Sequence, residues 1–339
     1  MSSSVDQAAK CGVSTDEYRT FRRSGFLVVR DLIAPRELDE LRSHADALVQ
    51  GRLPEQRESM PVRDHSRDEG VTVQRLERPP PGLSDREQAQ YFVRLHMLHR
   101  ELELHERTLL HPRILDIVEV LIGPDVLALS TMFFLKPPGK AGQGWHQDSF
   151  YIPTYPDTLC GAWIAIDDCD ESNGALCIAD GSCAEPVYPP RAGYGFGDDG
   201  IADILRVEGV GAADDEVNVL AGIAGRYLHR VVTARAGDVV FFGGHVLHSS
   251  SRNDTMDLMR RSFAGHYCNA RSFVRWGSDQ GPDDVHAAPF VDAETGMTNA
   301  SHILARGNSH LPFAQPAFGT PCAARGFGRR DPRGGGAAS

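Results

Sequence analysis

The chain has 339 residues, 41% of them apolar, with 46 acidic and 35 basic side chains and a formal net charge of −11. That apolar content fills a core, while the acidic excess argues against nucleic acid or anionic membrane as a partner. No apolar run is long enough to span a bilayer, no charged-then-apolar segment opens the chain, and seven cysteines without a secreted-scaffold spacing fit reduced thiols in a cytoplasmic compartment.

In chain order, residues 1–13 carry no periodic apolar pattern and are expected to be disordered. The apolar spacing of residues 36–48 and 112–121 suits amphipathic helices. Residues 52–75 are dense in arginine but interleaved with Asp and Glu, as in a solvated loop or a lid. From Val126 onward short β-rich runs alternate with turn signals, among them Asn173-Gly174, a strong hairpin dipeptide. The stretch 186–229, rich in glycine and acid, is longer than a strand connection needs and reads as a lid or an insertion. The glycine- and arginine-rich end, 318–339, is expected to be disordered. No internal repeat is present. A helical first third and a strand-rich remainder predict a mainly β fold with flanking helices, a double-stranded β-helix or jelly roll of the cupin kind. One domain over residues 15–315 is expected, because the candidate site residues lie on both halves of the chain and have to converge.

Those residues are His146 and Asp148 in Trp145-His146-Gln147-Asp148, and His248 far downstream. Positions i and i+2 of a strand face the same way, so His146 and Asp148 can reach one ion while Gln147 turns aside. His248 closes the apolar run 238–247, which reads as a buried strand. Two imidazoles and one carboxylate are what a mononuclear non-haem Fe(II) centre uses, with the remaining positions open. His245 is the rival ligand, but in a continuous strand it lies on the face opposite His248. Beyond a turn-like Ser251-Arg252-Asn253-Asp254, a second strand-like run, 258–267, carries Arg260 and Arg261. A guanidinium grips a carboxylate with two hydrogen bonds, and neighbouring strand residues face opposite ways, so only one of the two can enter a pocket. Cys160, Cys169, Cys177 and Cys183 fall close together without a Cys-x-x-Cys knuckle, and buried inert thiols are the better reading than a zinc site.

Taken together and in order, Gly123-Pro124-Asp125, Lys136-Pro137-Pro138-Gly139, Trp145-His146-Gln147-Asp148, Trp163-Ile164-Ala165-Ile166-Asp167-Asp168, Asn173-Gly174-Ala175-Leu176 and Gly237-Asp238-Val239-Val240-Phe241-Phe242 leading to His248 resemble the phytanoyl-CoA dioxygenase-like Fe(II)/2-oxoglutarate oxygenases. The resemblance runs over residues 18–270. It implies Fe(II) on His146, Asp148 and His248, with 2-oxoglutarate and O2 as co-substrates. It also implies Arg260 as the 2-oxoglutarate arginine, seven residues before Tyr267, with Arg261 as competitor, and Ser250 as a hydroxyl on the same carboxylate. Met132 and Trp163 match positions that wall the co-substrate, and both equally suit ordinary core packing. Gly181-Ser182-Cys183 departs from the family's usual Gly-Ser-His, at a position outside the metal set. Asp148 argues for oxygenation rather than halogenation, since related halogenases lack the acidic ligand. The expected activity is oxidation of a small metabolite, by hydroxylation, ring closure or desaturation, with conversion of 2-oxoglutarate to succinate, in bacterial secondary metabolism. The competing readings are an acyl-CoA hydroxylase of the phytanoyl-CoA type and a non-redox cupin-like metal protein. Asp198, Asp199, Asp203, Glu208, Asp214, Asp215 and Glu216 stand against Arg206 alone between residues 193 and 216. Such an acidic rim favours a neutral or positively charged substrate over a polyanion. Oligomeric state is left open by the sequence.

Overall fold

A computed structural model describes residues 12–49, 82, 84, 94–96, 98–100, 102–140, 142–188, 218–274, 302–311 and 313–324. The first helix, α1 (Thr15–Ser24), begins in a capping box in which the Ser14 hydroxyl accepts from the Glu17 amide and the Glu17 carboxylate accepts from the Ser14 amide. It ends at Gly25, whose φ of +85° is open to glycine and strained for other residues. Strand β1 (Phe26–Val29) follows, then α2 (Pro35–Val49), which buries the stripe Leu38, Leu41, Ala45 and Leu48. Two further helices, α3 (Glu103–Leu109) and α4 (Pro112–Ile122), precede the long β3 (Val126–Lys136). Proline stands at the start of α4, where its missing N–H leaves no helical bond unmade.

Two sheets carry the rest, antiparallel except for the last pair of the larger one. The larger has the order β1, β9 (Val239–Gly243), β6 (Cys160–Ala165), β11 (Arg260–Asn269), β3, β13 (Ile303–Gly307) and β14 (Ala323–Ala324), with β2 (Arg94–His96) pairing the far end of β3. The smaller has the order β4 (Gln143–His146), β10 (His248–Ser250), β7 (Leu176–Asp180) and β8 (Leu228–Val232). A short ribbon joins β5 (Thr154–Tyr155) to β12 (Phe273–Val274). Period-two alternation sorts the large sheet's side chains. Val239, Phe241 and Phe263 pack with the helices, against Ile114, Leu115 and Phe133. Val240, Phe242, Trp163, Met132 and Ala264 fill the space facing the small sheet. The expected jelly roll with flanking helices is the fold observed.

Several local expectations are corrected. The run 238–247 is not one strand: β9 stops at Gly243, a turn crosses between the sheets, and His248 opens β10 in the other sheet. The cause lies at Gly244, whose amide donates to Leu159 O (2.9 Å) and whose carbonyl accepts from Ser149 N (3.0 Å), ending the ladder. The run 258–267 is β11, shifted to begin at Arg260 and continue to Asn269. Asn173-Gly174 does turn, with φ +93° at Gly174, but it connects β6 of the large sheet to β7 of the small one rather than closing a hairpin. Residues 318–324 are not loose. The buried Glu106 carboxylate accepts from the Phe318 amide (3.1 Å) and the Thr320 hydroxyl (2.6 Å), and β14 pairs β13. The two ends of the 186–229 stretch are ordered, the second as α6 (Val219–Ala224) and the start of β8. Its middle, the run 52–75 and the expected disorder at 1–11 and 325–339 lie outside the described residues, as does the acidic stretch 193–216. Among the described residues no helix is long and apolar enough to cross a membrane.

Candidate metal centre

His146 is the last residue of β4 and His248 the first of β10, and the two are direct cross-strand partners with ring centroids 4.0 Å apart. Each ring is oriented by its own strand: Nδ1 of His146 lies 2.9 Å from Gly144 O and Nδ1 of His248 lies 3.0 Å from Val246 O. A carbonyl only accepts, so both Nδ1 atoms carry the proton and both Nε2 atoms present a lone pair. Asp148 is not on the strand with His146, as expected from sequence, but opens a one-turn helix, α5 (Asp148–Tyr151). The i, i+2 relation survives because Gln147 between them is extended, at φ −123° and ψ 127°. Gln147 points away as expected, its amide donating to the carbonyls of Pro186 and His245.

Asp148 Oδ1 stands 3.6 Å from His146 Nε2 and 3.7 Å from His248 Nε2. Burial alone would raise the pKa of its carboxyl, but His248, His266 and His146 together outweigh that and hold it well below the usual carboxylate range. Among the described residues these three form the one group of His, Cys, Asp or Glu whose donor atoms converge, all within 4.8 Å. The four cysteines do not assemble. The donor set of two imidazole nitrogens and a carboxylate oxygen, without thiolate and buried, fits Fe(II).

One cavity opens beside the triad. Arg260 lines it, buried, with Nη1 donating to Ser262 Oγ (2.8 Å) and Nη2 to Gly174 O (2.9 Å), and its guanidinium carbon 5.7 Å from the Trp163 ring centre. Arg261 faces the other way, paired with Asp167 (2.8 Å) and Asp46 (3.3 Å). Ser250, Met132 and Trp163 line the same cavity. Tyr267 does not: seven residues from Arg260 it falls on the opposite face of β11, the helix side with Phe263, where its hydroxyl donates to Leu109 O (2.7 Å). His245 lies off the centre, between Asp157 and Glu185 O, and its pKa is raised by the Asp157 carboxylate. Ser182 accepts from the Leu247 amide (2.8 Å) and so braces the turn ahead of His248, while Cys183 beside it touches no ligand of the centre.

Of the cavity residues not singled out from sequence, two make polar contacts that shape the site. Lys136, cross-strand partner of Arg260, donates to Ser250 Oγ (2.9 Å) and Ser251 O (2.7 Å). His266 lies 3.1 Å from Asp148 Oδ2. Counting by twos from Arg260 along its strand reaches Ser262, Ala264 and His266, and that alternation was the available signal.

The phytanoyl-CoA dioxygenase family model matches residues 21–262, most of the chain, including His146, Asp148, His248 and Arg260. The chain belongs to the phytanoyl-CoA dioxygenase family. Peroxisomal phytanoyl-CoA dioxygenase of Bos taurus is 26% identical over 76% of this chain and 69% of its own length, and an ectoine dioxygenase of Nocardia farcinica is 25% identical over 72% and 74%. Among solved structures, the carbocyclase SnoK from nogalamycin biosynthesis aligns with TM-score 0.54 and 18% identity over 81% of this chain and 90% of that one, and the epimerase SnoN with 0.52 and 20% over 77% and 84%. This family member is an Fe(II)/2-oxoglutarate-dependent oxygenase.

Proposed function

We propose that His146, Asp148 and His248 hold the iron, that Arg260 and Ser250 hold the distal carboxylate of 2-oxoglutarate, and that Met132 and Trp163 wall the co-substrate, for oxidation of a free small metabolite. The observation that carries this reading is the convergence of two Nε2 atoms and Asp148 Oδ1 in a cavity that a buried arginine also lines. Bound iron supplies the oxidative step: O2 and 2-oxoglutarate give succinate and CO2, one oxygen atom entering succinate and the other available to the substrate. The chain's own part is orientation. Arg260 carries a fixed charge on a buried strand, so a carboxylate meeting it is placed without solvent competition, and Trp163 and Met132 exclude water around it.

A small neutral or cationic substrate is supported by the acidic composition of residues 193–216 and by the nogalamycin and 5-hydroxyectoine named for solved structures of this fold. An acyl-CoA substrate, the second reading, is favoured by the name of the bovine relative and by Lys136 and Lys140 lining the cavity. The test is succinate release on adding Fe(II), ascorbate and 2-oxoglutarate, across panels of acyl-CoAs and of cationic metabolites. Stimulation by the metabolites is expected, and coupled turnover of any acyl-CoA replaces the first substrate reading by the second. His146→Ala and His248→Ala should abolish turnover and His245→Ala should keep it; near-parent activity in either of the first two overturns the ligand set.

A further inference from the structure

We infer that His266 is a positioning residue that occupies one oxygen of Asp148 and so leaves the carboxylate a single oxygen to offer the metal. The inference rests on the proposed iron reading of His146, Asp148 and His248. The two oxygens of Asp148 stand in different surroundings. Oδ1 faces the Nε2 atoms of His146 and His248, whereas Oδ2 lies 3.1 Å from Nε2 of His266. The other ring nitrogen of His266, Nδ1, lies 3.0 Å from Ser130 Oγ.

An ionised carboxylate only accepts, so Nε2 of His266 donates to Oδ2, while the Ser130 hydroxyl, which can donate or accept, holds Nδ1. Ser130, His266 and Asp148 are 1%, 3% and 7% exposed. At that burial neither hydrogen bond is readily exchanged for one to water, and both are stronger than on a surface.

Geometry gives the chain of contacts its use. A carboxylate can bind a cation through one oxygen or two. Two-oxygen binding by Asp148, added to two imidazoles, would remove one of the three positions that a two-histidine, one-carboxylate site leaves open. The His266 N–H opposes this by engaging Oδ2 from the side away from the two histidines. Ser130 and His266 stand on β3 and β11 of the large sheet, while the two metal-facing histidines stand on the small one. The bond therefore ties β11 of the large sheet to α5, which directly follows β4 of the small one. Nothing in a His-x-Asp spacing requires this third histidine; the face of β11 supplies it.

The experiment uses the full-length apo-protein titrated with Mn(II), a paramagnetic stand-in for Fe(II) whose enhancement of water proton relaxation counts the waters on the bound ion. Parent, His266→Leu, His266→Gln, Ser130→Ala and His146→Ala proteins are compared, each checked by circular dichroism. His266→Leu is expected to bind Mn(II) roughly ten- to a hundredfold more weakly, as loss of such supporting partners does elsewhere. Its relaxation per bound ion should fall by about a third, one of three open positions being lost. His266→Gln, which keeps an N–H donor, should restore the relaxation. Ser130→Ala should shift affinity in the same direction by less, and it carries the test if His266→Leu does not fold. Parent-like affinity and relaxation in the folded His266→Leu protein, or in Ser130→Ala where that variant stands in, overturns the inference alone. A parent that binds no Mn(II), or one that His146→Ala matches, overturns the iron reading and the inference with it.

Discussion

Arg260 and Arg261 share a side chain and differ in everything around it. Arg260 is 3% exposed and sits over Trp163 in the cavity, while Arg261 reaches the outer face and is satisfied by Asp167 and Asp46. A charge-assisted bidentate bond contributes on the order of 1.5–3 kcal/mol, so Arg260→Ala should raise the 2-oxoglutarate concentration needed for half-maximal succinate release roughly ten- to a hundredfold. Arg261→Ala should leave that concentration near the parent value and lower stability by no more than about 1 kcal/mol, as for a partly exposed ion pair. Initial rates against 2-oxoglutarate concentration decide it, and the reverse order of effects moves the co-substrate site to the other face of β11. At this scale the sequence was highly legible where chemistry is rare: two histidines, an aspartate and a fork-shaped cation at strand spacing. It was opaque at His266 and Lys136. Their roles come from neighbours across sheets and strands, Asp148 and Ser250, and such contacts leave no local spacing to read.

Elements carry the site through their interruptions. The chain leaves the large sheet at Gly243 and enters the small one at His248, and the turn between them fits only because Gly244 has no side chain. A Cβ there would collide with Ser149 Oγ and sit 2.8 Å from Leu159 Cβ. Ser149 belongs to α5, directly after Asp148, so the same crowding presses on two parts of the centre at once. Gly244→Ala is expected to cost about 1–3 kcal/mol through overpacking and to weaken Mn(II) binding, because relief requires α5 or the turn before His248 to move. A variant with parent-like melting temperature and metal affinity would show that the turn accommodates a methyl group freely. Sequence periodicity placed the apolar residues of this run in the core but could not see the crossing. A buried strand and a buried strand-turn-strand are both continuous apolar runs, and the change of sheet is decided by the hydrogen bonds of Gly244 to Leu159 and Ser149. Residues 318–324 were misread for a related reason: the glycine- and arginine-rich composition of 318–339 carries no apolar pattern, and it is a buried acid far away, Glu106, that anchors its first residues.

Across the whole molecule, the fold class was legible because a helical opening and alternating strands admit few layered arrangements. What the pattern could not show is the cluster of imidazoles between α2, α3 and the large sheet. His44 Nε2 and His105 Nε2 lie 3.0 Å apart, packed against Phe133 and, for His105, against Phe263. Such a contact needs one nitrogen as donor and the other as acceptor, so at most one of the two rings can be charged. Burial brings the pKa of His44 down to about 4, against a smaller upward pull from Glu40, and lowers that of His105 through burial, His44 and His99. The unfolded chain takes up a proton at each histidine near pH 6.5, whereas the folded chain does not. Stability from this pair is therefore fully present above about pH 6.5 and declines as pH falls toward about 4, where folded His44 also protonates. For His44 the decline amounts to at most roughly 3 kcal/mol. His44→Gln removes the titration and keeps an N–H for His105, so its melting temperature should fall less steeply than the parent's between pH 6.5 and 4. Metal-free protein is the right material, because the ligand histidines then titrate equally in both. Parallel melting curves across that window would mean that the pair is not what makes the helix face of the large sheet sensitive to acid.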